Sequence, residues 1–101
     1  LSQAAFSPLA RLDLIEAEAW IRADRPSAAV GFRRAVLKAA GLVFDQPNCG
    51  VERLEIAAAP HRLLVVHGFP YLFVYNAERR PPLIVRVLHG ARDLPSLLSS
   101  L

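Results

Sequence analysis

Arg86-Val-Leu-His89-Gly-Ala-Arg92-Asp93-Leu94, with Phe69-Pro-Tyr-Leu-Phe-Val-Tyr75 upstream, is the stretch whose reading decides the fold. Runs rich in aromatic and β-branched residues, bounded by Gly, Pro and polar turns, mark β-strands, and both segments have that make-up. The second strand leaves its sheet at His89-Gly90 and sets a histidine, an arginine and an aspartate at its end. Strict alternation over residues 83–89 places Leu83, Val85, Val87 and His89 on one face and Ile84, Arg86 and Leu88 on the other. Tyr71, Phe73 and Tyr75 share a face of the preceding strand. Such a row of rings suits a core beneath helices better than a platform for nucleobases.

Working outward, Arg62-Leu-Leu-Val-Val-His67 reads as a further strand, broken by Gly68-Phe69-Pro70, and Arg53-Leu-Glu-Ile56 as a short first one. Residues 1–6 suit an N-terminal strand. Ser7-Pro8 is a helix start, with serine as N-cap and proline in the first turn. That helix runs to about Asp24 with two apolar stripes. Ala10, Leu14, Ala17 and Ile21 suit a sheet, whereas Leu12, Ile15 and Ala19 need another helix or a partner. Arg25-Pro26-Ser27 breaks the chain, and Ala29, Phe32, Val36, Ala39 and Val43 then recur at helical spacing. The short link argues for an antiparallel helical hairpin, which Gln46-Pro47-Asn48-Cys49-Gly50 ends. Asp93 is placed to cap a closing helical turn over residues 94–101. The pattern is α+β: one domain over residues 1–101, with an N-terminal strand and αα-hairpin packed on one face of a small antiparallel β-sheet.

A hydrophobic fraction of 53% in 101 residues argues against disorder and leaves apolar surface for a partner. The net charge is +3, and Lys38 is the only lysine among twelve basic residues. Arginine forms forked bonds to carboxylate and phosphate, although a genomic arginine bias explains the count equally well. No basic run exceeds Arg79-Arg80, so neither a nucleic-acid-coating arm nor direct sequence-specific DNA binding is expected. Cys49 is alone, so no internal disulfide forms and a reducing cytoplasm fits. No apolar run has the length of a membrane span, and no signal-peptide pattern opens the chain. The sequence begins with leucine and has no methionine, so the native start is expected to lie elsewhere.

The strand-end cluster His89, Arg92 and Asp93 is the candidate site. His89 suits general acid/base work, with Arg92 or Arg86 stabilising a phosphate. The same residues suit a structural role better, with His89 bracing the turn and Arg92 paired to a carboxylate such as Asp93 or Glu52. Arg62 and Arg86, read as lying on one sheet face, make a phosphate-binding pair, unless each pairs with a nearby acid. His61, His67 and His89 lack ligand-type neighbours, so no metal is expected. Without a glycine-rich phosphate loop, no cofactor is expected either.

Phe69-Pro70-Tyr71 with Tyr75, then Val87-Leu-His89-Gly-Ala-Arg92-Asp93, resemble the C-terminal half of the RelE/ParE toxin superfamily of bacterial toxin–antitoxin (plasmid-stabilisation-like) systems. Pro47-Asn-Cys-Gly50 followed by Arg53, Arg62 at a strand start, and Asp13-Leu14, Ala17, Trp20, Ile21, Pro26, Ala29 and Phe32 extend the likeness over residues 7–98. The resemblance implies a small cytoplasmic toxin in a hetero-oligomer with a cognate antitoxin, often of ribbon-helix-helix type, with no membrane role. It implies that Leu12, Ile15, Ala19, Arg62 and Arg86 meet that antitoxin. RelE-like members cut mRNA on the ribosome, and here Arg62, Arg86 and His89 would stand in for such a site. ParE-like members inhibit DNA gyrase by binding. The chain ends Leu94-Pro-Ser-Leu-Leu-Ser-Ser-Leu101, with no terminal tyrosine or histidine and no lysine-rich surface, which favours the ParE-like branch and leans against an enzyme. A toxin fold that only assembles with its antitoxin is the third alternative.

Overall fold

The structure is a computed structural model that describes residues 2–101. Ser7 opens the first helix, α1 (Pro8–Asp24): its hydroxyl accepts from the Ala10 N–H at 3.0 Å and donates to the Val85 carbonyl at 2.8 Å. The second helix, α2 (Ala28–Asp45), buries Ala29, Phe32, Val36, Ala39 and Val43, the stripe its spacing predicts, and adds Ala40. On α1, Ala10 and Ala17 are buried while Leu14 and Ile21 pack at the core margin. Leu12, Ile15 and Ala19 face away from the sheet, with Leu12 56% and Ile15 66% exposed.

Four strands form one sheet: β1 (Ala5–Phe6), β2 (His61–Val65), β3 (Tyr71–Asn76) and β4 (Leu83–His89), in the order β1-β4-β3-β2. The strands β2, β3 and β4 make the expected antiparallel meander. β1 joins β4 in parallel, Ala5 opposite Leu83 and Phe6 opposite Ile84, so the sheet as a whole is mixed. The architecture is α+β. Among the described residues no helix is long and apolar enough to cross a membrane.

Two local readings are corrected. Residues 53–56 do not form a strand. The Arg53 carbonyl accepts from the Ile56 and Ala57 N–H groups at 2.8 and 2.9 Å, so this backbone satisfies itself within a turn instead of extending a ladder. Only Val51, just before it, bridges to Leu63. The alternation along β4 also fails, because Val74 faces Arg86 while Tyr75 faces Ile84, which leaves Val85 without an opposite residue. Such a bulge resets the side-chain period. Ile84 and Val87 therefore join Phe73 and Tyr75 in the core under the helices. Val85 and Leu88 instead turn to the opposite face with Leu63 and Val74.

That second face has its own small core. Ala57 covers it from the 53–60 segment, and Leu94 and Leu98 cover it from around the short helix α3 (Leu94–Leu97). Asp93 caps α3 as expected, accepting from Ser96 N–H at 3.4 Å. On the first face, the fully buried Tyr75 pins the link between α2 and β2. Its phenol donates to the Pro47 carbonyl at 2.6 Å and accepts from the Gly50 N–H at 2.9 Å. Burial, aided by the neighbouring Cys49 and opposed by the Gly50 N–H and Arg62, pushes this phenol up to about 12.

Candidate functional site

Since β1 ends opposite Ile84, the rest of β4 presents an open edge toward α1. Asp13 closes part of it. One carboxylate oxygen accepts from Arg86 Nε at 2.8 Å and from the Val87 N–H at 2.9 Å, and the other accepts from Arg86 Nη2 at 3.0 Å. The fork is mostly buried, and the hydrogen bond with Asp13 holds the Arg86 guanidinium above its ordinary pKa.

Beyond this clasp a groove of about 800 Å³ runs between α1 and the β3–β4 end of the sheet. Glu16, Trp20 and Asp24 line the helix side; Phe69, Tyr71 and His89 line the sheet side. The helical spacing of Asp13, Glu16, Trp20 and Asp24 puts all four on one flank. Trp20 is 74% exposed, more than any other large apolar side chain among the described residues. Tyr71 anchors the floor, tilted against Phe32 and edge-on to the His89 ring at 5.2 Å, and burial raises its phenol pKa. His89 Nδ1 accepts from the Ala91 N–H at 3.0 Å. The proton of the neutral ring then sits on Nε2, and the ring braces the turn that the Gly90 N–H ties to Pro70 at 2.8 Å.

Of the sequence candidates, His89 and Arg92 reach the groove, and Asp93 is spent on capping α3. Arg86 lies behind the Asp13 clasp. Arg62 is on another strand, donating to the Gly50 carbonyl at 2.9 Å, with Glu52 at 3.7 Å. The expected Arg62–Arg86 pair on one face does not form. Arg62 stands opposite Tyr75, on the helix side, whereas Arg86 stands opposite Val74, on the other side. His89 is opposite Tyr71, four residues along β3 from Tyr75, or roughly 13 Å away at strand rise. The three nuclease candidates are therefore not brought together. The expected pairing of Arg92 with Asp93 or Glu52 is absent from the ion pairs among the described residues.

Sequence reasoning missed Asp13 and Trp20 as site residues. Their shared flank on α1 was legible, but nothing in the local pattern says that this flank meets the open edge of a strand more than seventy positions later. Leu12, Ile15 and Ala19 form the outward stripe beside a charged triad in which Arg22 and Arg33 both donate to Glu18 Oε2. The bond with Arg33 holds the Glu18 carboxyl below its ordinary range.

A family model described as the ParE toxin of the type II toxin-antitoxin system, parDE, matches residues 4–94. No curated protein matches the chain. Among solved structures, a chain from "Chromosomal ParDE TA system from P. aeruginosa" superposes with a TM-score of 0.70 at 16% identity, covering 86% of this chain and 94% of that one. At that identity the likeness concerns the fold alone.

Proposed function

This chain belongs to the ParE toxin family of type II toxin–antitoxin systems, and on that premise we propose that it is a cytoplasmic toxin that inhibits DNA gyrase by binding, without chemistry of its own, and is silenced by a cognate antitoxin. The observation that supports binding over cleavage is the commitment of the candidate catalytic groups to structure. Arg86 is forked onto Asp13, Arg62 holds the Gly50 carbonyl, and His89 Nδ1 is occupied by the Ala91 N–H. General acid/base cleavage needs such groups within hydrogen-bond reach of one substrate. Here they are dispersed over two faces and two ends of the sheet.

The outward Leu12, Ile15 and Ala19 stripe supports an antitoxin contact on α1. A stripe of this kind on an otherwise folded surface is what helix-in-groove partners use. Arg62 and Arg86, read from the sequence as part of that contact, are engaged within the fold on the Gly50 carbonyl and on Asp13, away from the outward stripe of α1.

Supercoiling of relaxed plasmid by purified gyrase, with the toxin titrated in, is the direct test. Inhibition that is reversed by the co-encoded antitoxin is expected. Supercoiling that persists at large toxin excess removes gyrase as the target.

A further inference from the structure

Trp20 is the only tryptophan of the chain, and it stands 74% exposed on the helix wall of the groove between α1 and the sheet. A packed tryptophan buries about 150–250 Å². Most of that surface is left open here, facing a cavity of about 800 Å³. Phe69, Tyr71 and His89 put three more rings on the opposite wall, and Tyr71 and His89 meet edge-on at 5.2 Å. A ring-lined cavity of this size with a few polar groups at its rim has the dimensions of a small-molecule site.

Four free charges border the cavity. Glu16 lies one helical turn before Trp20 and Asp24 one turn after it, both exposed. Arg25 and Arg92 are exposed as well, and none of the four makes an ion pair among the described residues. Asp13, the remaining acid, is taken by Arg86. Net charge therefore does not select the ligand, and placement does. Aromatic faces attract cations, and tryptophan attracts them most. The two carboxylates stand on either side of that ring. The negative end of the α1 dipole lies here too, since Ile21, Asp24 and Arg25 all line the groove. The two arginines occupy the last position of the helix turn and the segment beyond β4.

We infer that the groove binds an aliphatic polyamine, laid along α1 with one ammonium at Glu16, one over the Trp20 ring and one at Asp24. The spacing carries the match. Four residues of helix rise about 6 Å, so the three positions recur at about 6 Å intervals over about 12 Å. Amino groups separated by three or four methylenes in an extended chain lie about 5–6 Å apart. The methylenes pack on the Phe69 and Tyr71 rings, as long aliphatic stems do on apolar surface. The overall charge of +3 does not draw a polycation to this chain, so any saturable binding reports a local site. Neither gyrase nor an antitoxin enters this inference, and its failure leaves both readings as they stand.

The probe is spermidine, titrated into the intact protein. Trp20 emission reads the site directly, because no other tryptophan contributes, and calorimetry gives a second readout that survives loss of the ring. Saturable quenching is expected. Glu16→Gln and Asp24→Asn each weaken binding by about two- to fivefold, and Arg92→Ala, which removes a competing cation, tightens it by about twofold. Trp20→Ala weakens it by about fivefold or more. All four positions are exposed, and circular dichroism checks that each variant is folded. N-acetyl-lysine amide, with a single ammonium, and magnesium, with charge but no stem, are expected to bind far more weakly than spermidine. Adenosine monophosphate tests the opposite choice, a stacked base with its phosphate on Arg25 and Arg92. A response that never saturates, unchanged affinity in either E16Q or D24N, weaker binding to R92A, equal binding of N-acetyl-lysine amide or magnesium, or tighter binding of the nucleotide overturns the inference.

Discussion

Replacing Tyr75 by phenylalanine removes one oxygen and exposes how the link between helices and sheet is held. That oxygen donates to the Pro47 carbonyl and accepts from the Gly50 N–H inside a fully buried side chain. Without it, a carbonyl and an amide both lose their partner in a place that water does not easily reach. A net hydrogen bond is worth about 1 kcal/mol, and a buried group left unpaired costs about 1–3 kcal/mol, so Tyr75→Phe is expected to destabilise by about 2–3 kcal/mol. For a domain of this size that is on the order of 10–20 °C in Tm. Urea unfolding followed by far-ultraviolet circular dichroism measures it, with an unchanged denaturant slope expected. The pH dependence supplies an independent check. The phenol titrates near 10.0 when free and is pushed up to about 12 in the fold, so the fold prefers its neutral form. Its contribution is whole below pH 10 and is lost as pH rises through 12. The stability gap between wild type and Y75F therefore narrows over that window. Gly50→Ala attacks the same contact, because a Cβ there lies 2.7 Å from the phenol oxygen and 2.8 Å from the Leu63 carbonyl. Its effect and that of Y75F are expected to be markedly less than additive. A Y75F protein within about 0.5 kcal/mol of wild type, or a gap that widens in alkali, refutes this account of the turn.

Asp13→Ala strips Arg86 and the Val87 N–H of their shared partner, and a loss of about 2–4 kcal/mol is expected in the same unfolding assay; Asp13→Asn, which keeps an acceptor for the Val87 N–H, loses less. His89→Gln leaves growth arrest within about twofold of wild type if the toxin works by binding, and primer extension shows no cleavage of translated messages; abolished arrest in a folded H89Q protein points to catalysis. Trp20→Ala, at a position already three-quarters solvent-exposed, shifts stability by less than about 0.5 kcal/mol, so a larger shift means that Trp20 packs more tightly than the groove geometry describes.

How much of this was legible in the sequence depends on the range of the interaction. The second helix was fully readable, because Ala29, Phe32, Val36, Ala39 and Val43 repeat at the helical period and all are buried. Ser7-Pro8 marked the start of α1 to the residue. Strand β3 was legible from its aromatic and β-branched content. What failed was non-local. The Val85 bulge shifts the period of β4 by one residue, and only its pairing with β3 reveals it. Residues 53–56 have strand-like composition but close on themselves through the Arg53 carbonyl. Asp13 belongs to a charged side of α1, and its partner is Arg86 on the last strand, out of reach of any local pattern. The groove was thus half visible: the strand-end residues His89 and Arg92 line it, and the helix flank opposite them was not read from the sequence.

The order of the strands has a consequence for biogenesis. β4, made after β2 and β3, is inserted between β3 and the N-terminal strand, and it carries the partners of both Ser7 and Asp13. The helix α1 therefore waits, unseated, until β4 has been made. Contacts that span so much of the chain slow folding. A nascent chain interrupted before residue 83 offers no partial toxin: its first helix has no strand to rest on, and its meander lacks its last strand. Such a domain closes all at once, when β4 takes its place in the sheet.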